Sequence, residues 1–130
     1  MRMFSRRNLS RKDRARLENA KKIASTSDCR HRHGAVTIRG GRVVAVGVNS
    51  YRNDMSQFNI VPDLGRSIHA EEACLRVVKG EASGAVLYVA RVNRKGEEMM
   101  SKPCSSCMEK LKQAGVKRVV YTIDSQIRID

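Results

Sequence analysis

A chain of 130 residues can form one domain with its own hydrophobic core, without stabilising disulfides. Hydrophobic residues make up 41% and charged residues 30%, a balance that excludes an intrinsically disordered chain. There is no run of about 18 apolar residues and no secretory signal pattern, so we expect no membrane partner and a cytoplasmic location. In the cytosol, the four cysteines are better explained as thiols or metal ligands than as disulfides.

The net charge of +13 is unevenly distributed, since the first 33 residues hold eleven Lys or Arg against three acidic residues. Such an excess suggests a polyanionic partner, because Lys and Arg gain affinity by displacing phosphate counterions. Two interpretations stay open. The basic N-terminal region contacts nucleic acid, or it is a solvated surface that only aids solubility. The few aromatic residues weaken the first interpretation, because polynucleotide binders usually stack bases on several aromatic rings.

The first predicted elements are a basic arm and a helix. We expect residues 1–9 to have little order, as chain ends often do. Ser10 and Asp13 have the spacing of a capping box, which marks the start of a helix. Apolar side chains then recur at helical spacing up to about residue 25: Leu17, Ala20, Ile23 and Ala24. The sequence therefore predicts an amphipathic helix with a basic outer face.

Strands and helices alternate through the rest of the chain. Two β-branched segments, 34–39 and 42–48, flank Gly40-Gly41 and predict a β-hairpin, and the aperiodic residues 49–68 predict a long loop. The later elements are predicted as a helix over 69–79, a strand over 85–92, a turn over 93–98, a helix over 103–114, a strand over 116–123 and a short strand over 126–130. This order predicts a single α/β domain over residues 1–130, with helices on both sides of a mixed sheet.

Two motifs carry the chemistry: His-Ala-Glu at 69–71 and Pro-Cys-Ser-Ser-Cys at 103–107. Catalytic zinc takes three nitrogen, oxygen or sulfur ligands and leaves one tetrahedral position to water. His69, Cys104 and Cys107 supply three ligands. The two cysteines are three residues apart, so they share one face of a helix, and a helix N-terminus favours anionic ligands. We predict one catalytic zinc ion at these residues.

Glu71 is the predicted catalytic residue. It is not needed as a ligand, so its carboxylate can take a proton from water and pass it to a ring nitrogen and a leaving amine. Zinc lowers the pKa of its bound water toward about 7, and attack on an amidine-like carbon releases ammonia. The alternative is a zinc site that only stabilises the fold. Such sites usually close with a fourth Cys or His and need no Glu after the histidine, so the pattern favours hydrolytic deamination.

His-x-Glu followed by Pro-Cys-x-x-Cys is the signature of zinc-dependent nucleobase deaminases. On these motifs the chain resembles the cytidine deaminase superfamily, and within it the branch of deoxycytidylate and tRNA-adenosine deaminases. The resemblance covers about residues 20–123 and includes Ser-Asp-Cys-Arg at 27–30 and Gly-Val-Asn at 47–49. It implies a three-layer α/β/α cytidine-deaminase-like fold, with a mixed central sheet of about five strands, and assembly into homo-oligomers.

The resemblance also implies a substrate site. Asn49 is similar to the Asn with which family members contact the sugar, and the backbone of Ala70 would read the base. Arg52 and Arg66 are candidates for a substrate phosphate on charge alone. Ser101 lies in a connection longer than is usual in this branch, and we count it as a candidate for the wall of the site.

Other cysteines and histidines have simpler interpretations. Cys29, His31 and His33 alternate, and a few deoxycytidylate deaminases carry a second zinc. No fourth ligand is evident here, so we interpret them as loop residues and expect no second zinc. Cys74, on the helix predicted after Glu71, is interpreted as a small buried core residue.

Three functions compete. The first is zinc-dependent hydrolytic deamination of a cytosine nucleotide, deoxycytidylate to deoxyuridylate. The second, motivated by charge, is deamination of cytosine in single-stranded DNA or RNA, or of adenosine in tRNA. Lys102 stands where tRNA-adenosine deaminases typically carry Glu, which argues against adenosine. The third is a non-catalytic, zinc-stabilised module that binds nucleic acid. The motifs favour the first.

Overall fold

The computed structural model of the chain describes residues 1–5, 9–51, 67–68 and 82–124. In these ranges the elements are, in chain order, β1 (Arg2–Ser5), α1 (Arg11–Ala24), β2 (Arg32–Arg39), β3 (Arg42–Val48), β4 (Ser50–Tyr51), β5 (Ser67–Ile68), β6 (Val86–Val92), β7 (Glu98–Met99), α2 (Ser105–Gln113) and β8 (Arg118–Tyr121). The helix predicted over 69–79, Cys74 within it, and the strand predicted over 126–130 lie outside the described residues. No helix in the described ranges has both the length and the apolar character needed to cross a membrane.

A mixed sheet forms the centre of the fold, in the strand order β1-β8-β6-β2-β3, and β7 pairs with β6. The hairpin strands β2 and β3 are antiparallel, and β2 is also antiparallel to β6. By contrast, β6 and β8 are parallel, as expected for two strands joined by a helix. The prediction of an α/β fold with a mixed central sheet is confirmed.

The N-terminus differs from the sequence-based expectation. Instead of a poorly ordered arm, Arg2–Ser5 forms β1, which pairs in parallel with β8 from Arg2 opposite Arg118 to Ser5 opposite Tyr121. Met3 and Phe4 pack against the two separate core clusters of the domain. Pairing with β1 gives hydrogen-bond partners to the backbone groups at the edge of β8. The sequence did not predict this strand because its only apolar pair, Met3-Phe4, is short and lies among basic residues.

Helix α1 begins as predicted. Ser10 is its N-cap, and the Ser10 hydroxyl accepts a hydrogen bond from the Asp13 backbone N–H at 3.1 Å. Leu17, Ala20 and Ala24 are fully buried, which confirms the predicted inner face of the helix. Leu17 and Ala20 join the core cluster that α1 forms with β2 and β6.

The remaining elements also follow local sequence signals. Gly40 and Gly41 form the hairpin turn with positive φ angles of 59° and 77°, which only glycine adopts without strain. On the other side of the sheet, Leu111 of α2 packs into the second core cluster, with Leu87 and Val89 of β6. The sheet therefore lies between α1 and α2, in three layers.

A buried charge network joins α1 to the sheet. The Tyr88 hydroxyl donates to Asp13 Oδ1 at 2.6 Å, and Arg118 Nη2 donates to the same oxygen at 3.0 Å. Burial raises the pKa of Asp13, but the hydrogen bonds from Tyr88 and Arg118 outweigh it and hold that pKa below its usual value. Burial and the hydrogen bond to Asp13 raise the pKa of Tyr88 to about 12. The Arg118 guanidinium also lies 5.2 Å from the centre of the Phe4 ring, so the network extends to β1.

Candidate active site

The two cysteines of the predicted zinc site lie at the N-terminus of α2. Cys104 is the N-cap, with extended backbone angles of φ −66° and ψ 165°, so α2 begins two residues later than the sequence indicated. Cys107 is then the third helical residue and is buried, with 4% exposure, whereas Cys104 is exposed. The N-cap and the third helical residue lie on one side of a helix, which is the relation that a capping box uses.

The described part of this ligand set fits a zinc ion. Neither Cys104 nor Cys107 belongs to a disulfide. The first turn of α2 contains no acidic residue that would compete as a ligand, and the N-terminal end of a helix favours anionic groups such as thiolates. His69 and Glu71 lie outside the described residues. Ile68, directly before His69, pairs with Ser50, directly after Asn49.

Ser101 fixes the segment that leads into Cys104. Its hydroxyl is buried, donates to the Val89 carbonyl at 2.9 Å and accepts from the Thr122 backbone N–H at 2.8 Å. Thr122 Oγ1 also donates to the Met99 carbonyl at 2.7 Å. These bonds tie the segment to the middle of β6 and to the residue that directly follows β8. The structure thus gives Ser101 a positioning role, and its contact with substrate stays a prediction.

Asn49 also has a positioning role. It is 3% exposed, its Nδ2 donates to the His31 carbonyl at 2.6 Å, and its Oδ1 accepts from the His33 backbone N–H at 2.8 Å. The Ser27 hydroxyl donates to the Asn49 carbonyl at 2.9 Å. Asn49 therefore fastens the end of β3 to the start of β2. Its predicted contact with a sugar stays a prediction, as do the roles of Arg52, Arg66 and Ala70, which lie outside the described residues.

The described site residues share one edge of the sheet. The end of β6 at Val92 lies opposite the start of β2 at Arg32, beside Asn49, and Arg91 N donates to Thr122 Oγ1 at 3.0 Å where β8 ends. Ligands of open α/β sheets bind outside the carboxyl ends of parallel strands, here β6 and β8. The fold thus brings Asn49, Ser101 and the segment leading to Cys104 to the edge where a ligand is expected.

Sequence reasoning missed a basic cavity at the same edge. This cavity, of about 590 Å³, is lined by Arg30, His31, Arg91, Arg94, Lys95 and Glu97, among others. The residue types at 93–98 predicted only a turn. The three basic residues among positions 91–95 were the sequence signal that could have indicated this basic cavity. That they face Arg30 and His31 follows from the register of β2 on β6, which periodicity does not predict.

Of the alternating residues, Cys29 and His31 lie in the loop before β2, whereas His33 lies on β2 opposite Arg91, so the interpretation of His33 as a loop residue is wrong. Cys29 is buried, and its backbone N–H donates to the Ser27 hydroxyl at 3.1 Å. His31 is exposed, and its Nδ1 lies 2.8 Å from Arg91 Nη2. Within the described residues, no group of three or more His, Cys, Asp or Glu side chains is placed to hold a metal.

Comparison with known proteins identifies the family. Residues 10–123 match the model of the cytidine and deoxycytidylate deaminase zinc-binding region. A deoxycytidylate deaminase from Schizosaccharomyces pombe is 31% identical over an alignment 122 residues long, and the match covers 81% of this chain. The match spans 35% of the yeast protein, so the chain corresponds to about a third of that relative's length.

Solved structures share the fold. The dCMP deaminase of cyanophage S-TIM5 superposes with a TM-score of 0.66 at 21% identity, covering 91% of this chain and 88% of the phage chain. The same phage enzyme in complex with dCMP and dUMP gives 0.65 at 22% identity, covering 89% and 85%. Cytidine deaminase from Mycobacterium tuberculosis gives 0.56 at 21% identity, covering 88% and 85%. With the family match over most of its length and this shared fold, the chain belongs to the zinc-dependent cytidine and deoxycytidylate deaminase family of hydrolases.

Proposed function

We propose that this chain deaminates a cytosine nucleotide, converting deoxycytidylate to deoxyuridylate with release of ammonia. The observation that carries the proposal is the placing of Cys104 and Cys107 at the N-cap and first turn of α2, which suits two ligands of one ion. The 31% identity to a deoxycytidylate deaminase and the similar fold of a phage dCMP deaminase support the choice of substrate.

His69, Cys104 and Cys107 would hold one zinc ion. When bound, zinc supplies a Lewis acid and a nucleophilic water at neutral pH. Glu71 would accept a proton from that water and deliver it to the ring nitrogen, and would then carry the second proton, from the added hydroxyl group, to the leaving amine. Water adds to the carbon that carries the amine, and the carbon–nitrogen bond breaks. The products are the uracil nucleotide and ammonia. Ser101 and Asn49 would hold the surrounding backbone in place through their hydrogen bonds.

Replacing Glu71 tests this assignment. In Glu71→Gln we expect turnover of dCMP, measured as ammonia and dUMP, to fall by about a hundredfold to ten-thousandfold, because the proton carrier is lost. Zinc content, measured by atomic emission, should stay near that of the original protein, since Glu71 is not a ligand in this assignment. The assignment is wrong if the original protein releases no ammonia from dCMP, or if Glu71→Gln retains full activity.

The net charge of +13 favours a second candidate, a polynucleotide deaminase. The same assay on single-stranded DNA, RNA and tRNA, followed by the mass shift of the base, separates the candidates. Activity on oligonucleotides with a steep salt dependence and none on free dCMP would replace the first proposal by the second. Zinc binding and nucleic-acid binding without ammonia from any substrate would instead indicate a non-catalytic module. We also propose a homo-oligomer, which light scattering would test.

A further inference from the structure

The basic cavity at the site edge has the composition of an anion-binding site. Among the described residues, four cationic side chains line it, those of Arg30, Arg91, Arg94 and Lys95, together with the carboxylate of Glu97. That carboxylate accepts a hydrogen bond from Asn93 Nδ2 at 3.0 Å, so a neighbouring amide engages it. The cavity volume of about 590 Å³ is in the range that holds small-molecule ligands.

Hydrogen bonds position Arg91 in this basic cavity and shape the turn that carries Arg94 and Lys95. Arg91 Nη2 donates to His31 Nδ1 at 2.8 Å, an arrangement that places the imidazole proton on Nε2 and leaves that N–H as a further donor. Asn93 Oδ1 accepts from the backbone N–H groups of Lys95 and Glu97, both at 2.9 Å, which shapes the turn carrying the other cations.

The basic cavity is linked to the proposed deamination site. The carbonyl of His31 accepts from Asn49 Nδ2, the side chain predicted to contact the sugar. On the other side, Met99 lines the cavity and its carbonyl accepts from Thr122, which also binds the Ser101 hydroxyl. A ligand in the cavity therefore lies against the two segments that lead to the proposed substrate and zinc residues.

The ligand class follows from what lines the cavity. None of the described residues that line it is a Phe, Tyr or Trp, so this part of its wall offers no aromatic platform for a base. Within the described residues, Tyr88 is buried against Asp13 and Phe4 lies beneath Arg118. Forked guanidinium groups without aromatic rings suit phosphate oxygens better than the bases of a strand.

We propose that the basic cavity binds the phosphate group of a small phosphorylated molecule. The assignment of this phosphate to the substrate rests on the proposed function. The binding of a phosphate by the basic cavity does not depend on that function. The phosphate could belong to the cytosine nucleotide or to a second phosphorylated small molecule. The experiment below distinguishes these two sources.

Titration of the full chain with inorganic phosphate, followed by calorimetry, tests the proposal. Arg91→Gln and Arg94→Gln should each weaken binding by about tenfold or more, since each removes charge-assisted hydrogen bonds. Arg42→Gln, on the exposed hairpin end, is the control because it removes the same charge elsewhere and should leave binding unchanged. Thermal unfolding checks that the variants fold, and the exposed Arg94 decides the outcome should the half-buried Arg91 not tolerate replacement.

Three results would overturn the proposal: no binding of phosphate, equal binding by Arg94→Gln and the original protein, or equal weakening in Arg42→Gln. Binding of single-stranded oligonucleotides that depends on Arg91 and Arg94, without binding of phosphate, would also overturn it. If KM for dCMP rises in Arg94→Gln while kcat and the turnover of deoxycytidine stay unchanged, the phosphate is that of the substrate. Weaker phosphate binding with unchanged KM assigns the cavity to a second phosphorylated molecule.

Discussion

Position on a helix determines what Cys104 and Cys107 can do. As N-cap and third helical residue, they lie beside backbone N–H groups that have no partner within the helix. Cys29 is a useful contrast, because it is equally buried with Cys107 at 4% exposure but lies in a loop before β2. The residue type is the same in both places. Of the three cysteines that the structure describes, Cys104 and Cys107 are arranged as a pair at the start of α2.

Replacing Cys104 by Ser should remove most of the bound zinc. We expect at least about tenfold weaker zinc binding, measured by competition with a chromogenic chelator, because serine is a poor zinc ligand. The matched control is Cys29→Ser, which we expect to retain zinc. Equal zinc content in all three proteins would contradict the ligand assignment. Loss of zinc in Cys29→Ser alone would point instead to the loop before β2.

Helix α1 packs closely on β2 because Gly34 has no side chain. This residue of β2 lies under α1, and an added Cβ would approach the backbone of Ala20 and come within 2.9 Å of Ala24 Cα. The backbone of a helix cannot yield as a flexible side chain can. Helix α1 therefore rests directly on β2. This strand begins with basic residues, and its residue His33 contacts Asn49.

Gly34→Ala should destabilise the domain by about 3 kcal/mol, since α1 must shift away from the sheet and its buried face loses contacts. Urea unfolding followed by circular dichroism measures this change. Gly96→Ala provides the comparison. Gly96 has a φ of 81° and open space around it, so only backbone strain of about 1 kcal/mol is expected. Equal costs for the two variants would show that the helix does not rest on β2 as described.

Across the whole molecule, the network around Asp13 joins elements that are distant in sequence. Asp13 on α1 accepts hydrogen bonds from Tyr88 on β6 and Arg118 on β8, and Arg118 lies over Phe4 on β1. Its depressed pKa means that the folded protein favours the ionised carboxylate more than the unfolded chain does. The stabilisation is fully present above the unfolded pKa of about 3.9, and it is lost as pH falls through the lower folded value.

Asp13→Asn should therefore lower the free energy of unfolding by about 2 kcal/mol at neutral pH, through loss of charge-assisted hydrogen bonds. The difference from the original protein should persist down to about pH 5 and shrink below about pH 4. Urea unfolding at a series of pH values measures it. Glu18→Gln, on the same helix with a half-exposed side chain, should change stability by less than about 0.5 kcal/mol. A difference that grows toward acid pH would contradict the role of the ionised carboxylate.

Much of the fold, and the pairing of Cys104 with Cys107 in the candidate zinc site, could be predicted from local patterns. The capping pair Ser10–Asp13, the Gly40-Gly41 turn and the parallel pairing of β6 with β8 are all present in the structure. The spacing of Cys104 and Cys107 placed them together on α2. The capping pair, the glycine turn and the cysteine spacing each act within one turn or one hairpin, so a short stretch of sequence contains the whole pattern. The parallel pairing follows instead from the order strand, helix, strand.

The amino-acid sequence alone determined the motifs by which this chain resembles the zinc-dependent deaminase family, their spacing and the order of the elements. Only the tertiary structure decided that β1 completes the sheet, that Asp13 reaches Tyr88 and Arg118, and that Arg91 meets His31 in a basic cavity beside Asn49. The physical reason is distance along the chain. Arg91 and His31 are 60 positions apart, and Asp13 is 75 positions from Tyr88 and 105 positions from Arg118. Strand register and close packing bring them together, and neither has a local sequence signature.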